Sequence, residues 1–117
     1  MSRDGALTFD ELRRVNVERC EGPTFAHKVG DWSALEWAGA MCGEAGEAAN
    51  LCKKIRRGED VSHDDVGREL ADVVAYADLL AASLGLDLGY WVARKFNEVS
   101  IRRGATQRLP HAATEPR

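Results

Sequence analysis

The sequence predicts an all-α fold. Apolar residues recur at spacings of three and four in four successive segments, helix caps and glycines bound those segments, and no run alternates polar and apolar residues between turns. The 117 residues suit one hydrophobic core, and 44% hydrophobic against 30% charged residues with 3 Pro fits a globular domain rather than a disordered chain. One helical domain is expected over residues 1–104, followed by an irregular tail over 105–117.

Thr8-Phe9-Asp10-Glu11 reads as a capping box, in which a threonine oxygen accepts from the third helical amide, and it opens a first helix from Phe9 to about Glu21. Gly22-Pro23 stops it, and the stretch to Asp31 is an ordered loop. Ser33-Ala34-Leu35-Glu36 repeats the capping box and starts a long second helix. It runs to Arg57, where Lys53, Lys54, Arg56 and Arg57 suit the negative end of the helix dipole before Gly58. Ser62 with Asp64 and Asp65 opens a third helix, which carries Val66, Leu70, Val73, Ala77, Leu80 and Leu84 and ends at Gly85. Asp87 caps a fourth, through Trp91 and Phe96 to about Arg103, with Gly104 as its stop. The short connection between the second and third helices favours an antiparallel pair.

With 16 Lys plus Arg against 19 Asp plus Glu the net charge is -3, which argues against a nucleic-acid polymer as partner. No apolar run approaches the roughly 20 residues that span a bilayer, and the opening Met-Ser-Arg-Asp-Gly lacks a signal-peptide core. A cytoplasmic location without a membrane partner is expected. The odd set Cys20, Cys42 and Cys52 forms no Cys-x-x-Cys pair and is expected to be reduced, with Cys42 and Cys52 buried as small hydrophobes.

At 100° per residue, Glu44, Glu47 and Leu51 share one side of the second helix, beside an arc of Met41, Ala45, Ala48, Cys52 and Ile55. On the third helix Glu69, Asp72 and Tyr76 form a stripe flanked by that helix's own apolar arc. Antiparallel packing through these arcs lets the two acidic pairs face each other. Carboxylates gathered in a partly buried site repel, and either take up protons or bind a cation; an oxygen-only ligand set suits Mg²⁺ or Mn²⁺. The competing reading is a set of solvated helix acids on a non-catalytic helical interaction module. A carboxylate-bridged di-iron site is disfavoured, because neither helix carries the Glu-x-x-His pair such sites use.

Other positions are candidates for ligand contact. Lys95 sits at the centre of the apolar arc of helix four, with Arg102 two turns on. It either snorkels past a core edge or meets phosphate. Asn16 and Arg19 share the inward stripe of helix one with Phe9, Leu12 and Cys20, where they contact a ligand or cap a neighbouring helix. Trp37, two turns before Glu44, stacks on a planar ligand or fills core. His27, His63 and His111 have no metal-ligand spacing and receive no role.

The segments Gly43-Glu44-Ala45-Gly46-Glu47-Ala48-Ala49-Asn50 with Lys53-Lys54, Glu69-Leu70-Ala71-Asp72-Val73-Val74-Ala75-Tyr76, Gly85-Leu86-Asp87-Leu88 and Lys95-Phe96-Asn97 together resemble the MazG-like all-α nucleoside triphosphate pyrophosphohydrolases, which include the dimeric dUTPase and dCTPase types. The likeness covers residues 33–103. Its centre is Glu-x-x-Glu followed, after 21 intervening residues, by Glu-x-x-Asp. The resemblance implies a four-helix MazG-like bundle that assembles into a homodimer or homotetramer. It also implies that Glu44, Glu47, Glu69 and Asp72 bind Mg²⁺, with Glu44 and Glu47 catalytic, and that a nucleoside triphosphate is cleaved to the monophosphate and pyrophosphate. Lys54, Lys95 and Arg102 would meet phosphate, and Tyr76 the sugar or base, beside Trp37 if that residue stacks on the ligand rather than filling core. Members of the family often place Asn where this chain has Val99, and dCTPase-like members an aromatic residue where it has Lys54, so no base is assigned.

Overall fold

A computed structural model describes residues 5–111. Four α-helices follow in order, α1 (Phe9–Glu21), α2 (Ala34–Arg56), α3 (His63–Ser83) and α4 (Leu88–Arg103), with a single 3-10 turn at Val29–Asp31 and no strand among the described residues. The expected caps form, except that Thr8 makes only half of its capping box, with no return bond from the Glu11 side chain. Thr8 Oγ1 accepts from Glu11 N at 3.1 Å, and Asp87 Oδ1 from Tyr90 N at 3.0 Å. Ser33 and Glu36 exchange bonds at 3.2 Å each way, and Ser62 Oγ accepts from Asp64 N at 3.1 Å. At the far end of α4, Gly104 takes the left-handed conformation (φ 75°) that a side chain would disfavour.

The longest packing surface joins α2 and α3, which run antiparallel: Trp37 lies near Tyr76, while further along α2 Glu44 lies near Glu69 and Asp72. Helix α1 lies across α3. The loop after α1 folds back on it, since His27 N donates to Cys20 O at 2.8 Å and Val29 N to Glu21 Oε2 at 2.9 Å. Trp37 Nε1 in turn donates to Val29 O at 2.9 Å, so the loop is tied to α2 as well. Ala26 in this loop has φ 50°, a left-handed conformation costly for a residue with Cβ, and its neighbours Phe25 and His27 both face the cavity described below.

The central core is small. Cys20, Trp37 and Leu79 are buried together, with Val17, Val29, Trp32, Tyr76 and Leu80 packed around them. Arg13 fastens α1 to α3 and to the turn before α4: Nε pairs with Asp78 Oδ1 at 2.9 Å, and Nη2 donates to Leu86 O at 2.9 Å. Helix α4 packs on α1 through Gly89, where an added Cβ would lie 2.9 Å from Phe9 Cβ. The chain after α4 returns along it, because Asn97 exchanges hydrogen bonds with Leu109 at 3.0 and 2.8 Å. The remainder of the expected tail, 112–117, lies outside the described residues, as do residues 1–4. Among the described residues no helix is long and apolar enough to cross a membrane.

Two expectations about the core need correction. Cys42 and Cys52 are exposed rather than buried. Helix α2 has one long neighbour, which covers the stripe through Trp37, Glu44 and Ala48 and leaves the flanks carrying the two cysteines open. Leu70 and Leu84, placed in the apolar arc of α3, are likewise more than half exposed (54% and 56%).

Candidate metal centre and adjoining cavity

The α2–α3 pairing brings Glu44, Glu69 and Asp72 together, with one carboxylate oxygen of each within 4.8 Å of the others. Glu44 and Glu69 are half-buried, Asp72 exposed. Glu69 Oε2 is sealed from solvent and has no hydrogen-bond donor among the described residues. Glu69 is grouped with two other acids, and two carboxylates bond only if a proton sits between them. A side-chain hydrogen bond with Glu44, which one of the two acids can make only when protonated, is the main cause that pushes the Glu69 pKa up to about 7; burial and the charges of Glu44, Glu47 and Asp72 add to it. Glu47 is the fourth acid of the pattern, close enough to act on Glu69 by charge but outside the group of three. It borders an open surface depression with Gly43, Gly46 and Lys53.

Beside the acids a cavity of about 280 Å³ opens between α1, α2, α3 and the loop. Glu44 and Asp72 belong to its wall as well as to the acidic cluster. The rest is largely aromatic. Trp32 and Trp37 lie 4.5 Å apart between ring centres, His27 stands edge-on to both, and Tyr76 is 6.2 Å from Trp37. Asn16 and Arg19 line it from α1, and Phe25 carries the Arg19 guanidinium at 5.5 Å from its ring centre. Cys20 donates its thiol to His27 O at 2.8 Å. Burial, then the charges of Glu21 and Asp31 against that of Arg19, push the thiol pKa upward, which keeps it protonated and unreactive.

The candidate residues therefore divide. Tyr76, Trp37, Asn16 and Arg19 line the cavity, and Trp37 is both core and wall, 3% exposed with its indole N–H already used. Lys54 is half-buried on α2 and does not line the cavity. No residue of α4 lines it, so Lys95 and Arg102 are exposed and apart from it within one chain. The apolar arc around Lys95 is only partly covered: Leu88 and Val99 are half-buried, whereas Trp91, Val92 and the nearby Phe96 are exposed. Asn97 is spent on the returning tail.

His27, given no role from sequence, is part of the cavity wall, and its Nδ1 is a sealed atom without a partner. Asp78 is fully buried beneath Asn16. A loop without period hid the first. The second stands in an apolar run, and an isolated Asp at such a position is the only signal that could have found it.

No protein-family model and no solved structure matches the chain. The Gene 37 protein of Mycobacterium phage L5 is 38% identical over 68 residues, covering 54% of this chain and 60% of that protein. The match thus spans less than two thirds of the relative's length, and its name states no activity.

Proposed function

We propose that the chain is a Mg²⁺-dependent nucleoside triphosphate pyrophosphohydrolase, an enzyme that releases a nucleoside monophosphate and pyrophosphate. The observation that carries this reading is the sharing of Glu44 and Asp72 between an acidic cluster and an aromatic cavity. A ligand with one flat apolar end and one polyanionic end suits such a site, provided a cation separates its phosphates from the acids. The pairs Glu44/Glu47 and Glu69/Asp72, with their likeness to the MazG-like pattern, point the same way.

The donor set fits a hard divalent ion. All three gathered ligands are carboxylates, and Glu69 Oε2 lacks any other partner. Glu44, Glu69 and Asp72 would hold Mg²⁺, or Mn²⁺ in its place, with Glu47 at the margin. When bound, the ion supplies neutralisation of phosphate charge and activation of a water for attack on phosphorus. Trp32 and Tyr76, both half-buried, offer faces for a base, backed by Trp37, which its bond to Val29 O fixes. The same aromatic wall excludes water from that end of the ligand. Glu44 or Glu47 would take the proton of the attacking water.

Assembly into a homodimer or homotetramer belongs to this reading. Part of the apolar face of α4, at Trp91, Val92 and Phe96, lacks cover, and folding of one chain does not bring Lys95 or Arg102 to the cavity. Lys54 remains the candidate phosphate contact on α2. A panel of ribo- and deoxynucleoside triphosphates, assayed for pyrophosphate with and without Mg²⁺, tests activity and substrate together. Metal-dependent pyrophosphate from at least one member is the expected result, and none from any would reject the reading.

A further inference from the structure

We infer that the Arg13–Asp78 ion pair locks the Asn16 side-chain amide in one orientation, making Asn16 Oδ1 the group by which the cavity selects ligands that carry an N–H donor, as nucleobases do. The inference rests on reading the cavity as a nucleoside site and adds to it how that nucleoside is read.

Asn16 is 5% exposed, and both hydrogens of its amide are committed. Nδ2 donates to Ala75 O at 3.0 Å and to Asp78 Oδ2 at 3.1 Å. A carbonyl and a carboxylate only accept, so turning the amide over would set its oxygen against two acceptors in a buried place. The orientation is therefore dictated by chemistry. Asp78 cannot swing aside to relieve it. It is 0% exposed, and its other oxygen takes Arg13 Nε at 2.9 Å, while Arg13 Nη2 reaches on to the carbonyls of Asp78 (3.3 Å) and Leu86 (2.9 Å).

What remains is Oδ1. Asn16 lines the cavity, and among the described residues Oδ1 receives no hydrogen bond and is not a sealed atom. His27 Nδ1, a second lining atom with no hydrogen-bond partner among the described residues, is sealed beside Trp32 and Trp37. A rigid acceptor with a buried anion behind it favours a ligand N–H and penalises a ligand that turns a lone pair or a methyl group toward it. Asn16 thus discriminates by direct contact; Arg13 and Asp78 are positioning residues that act through it.

Free nucleosides test this without catalysis. Thymidine, deoxycytidine and deoxyadenosine would each be titrated in parallel with a partner lacking the donor: N3-methylthymidine, N4,N4-dimethyldeoxycytidine and purine deoxyriboside. Quenching of Trp32 and Trp37, which line the cavity, reports binding. At least one nucleoside is expected to bind about tenfold tighter than its partner. Asn16→Ala should erase that ratio, because added bulk alone would persist in the variant. Asp78→Asn, whose amide can donate, should let the Asn16 amide turn and reduce the ratio at least about threefold. Should Asn16→Ala fail to fold, Asp78→Asn decides. No nucleoside binding, equal binding within every pair, or an unchanged ratio in a folded variant would each overturn the inference. Donor-dependent binding without turnover of any triphosphate would instead reject the hydrolase and leave the Asn16 selector standing.

Discussion

Glu44 on α2 and Glu69 on α3 face each other across the helix pair, with a carboxylate oxygen of each, and one of Asp72, inside a 4.8 Å group. Their proximity makes ionisation of Glu69 costly unless a cation is present, and the cost has a sign that can be measured.

In the metal-free protein Glu69 has a pKa near 7 against a reference of 4.5, so the folded state holds more protons than the unfolded state between those values. Stability from this group is present below pH 4.5 and is lost as pH rises through 7. Thermal melts in chelator are expected to show wild type losing ground to Glu69→Gln between pH 5 and pH 8. The comparison with the variant removes the contribution of the histidines. Parallel pH profiles for the two proteins would show that the acids do not share a proton.

Asp78 is buried without solvent access, and Arg13 is its charged partner. Arg13→Met should therefore cost about 3 kcal/mol in urea unfolding, since it strands a buried charge, and adding Asp78→Asn should recover part of that loss. A cost below about 1 kcal/mol for the single change would mean that Asn16 and the backbone alone satisfy Asp78.

Much of the frame could be read from local chemistry. Thr8, Ser33, Ser62 and Asp87 marked helix starts because each cap is satisfied within three residues, and the acidic pairs followed from helical period on two consecutive helices. The wall of the cavity could not be read in this way. Asn16 meets Asp78 across 62 positions, and His27 reaches the two tryptophans from a loop. Burial of Cys42 and Cys52 was overestimated for a related reason. An apolar arc shows which face prefers cover, whereas the number of neighbouring helices decides how much it receives.

Trp91, Val92, Phe96 and Ile101 on α4 are all exposed, Ile101 to 65%. A second copy covering them would make association concentration-dependent. Sedimentation at micromolar concentration is expected to show a dimer or tetramer, and Phe96→Glu to shift it toward monomer with a lower melting temperature. If assembly also brings Lys95 to phosphate, Lys95→Met should weaken binding of a non-hydrolysable triphosphate at least about fivefold while leaving assembly intact. A wild-type monomer at high concentration would contradict the assembly, and unchanged affinity would remove Lys95 from the site.

The central claim is that the acids joining α2 to α3 form a metal centre for triphosphate cleavage. Pyrophosphate release with Mg²⁺, measured for wild type and for Asp72→Asn on the best substrate of the panel, tests it most directly. Because loss of one ligand charge weakens the cation while relieving repulsion in the empty site, the variant should keep its helical circular dichroism and lose at least about a hundredfold in metal-dependent rate. Equal rates in the two proteins, or a wild-type rate indifferent to chelator, would contradict the account.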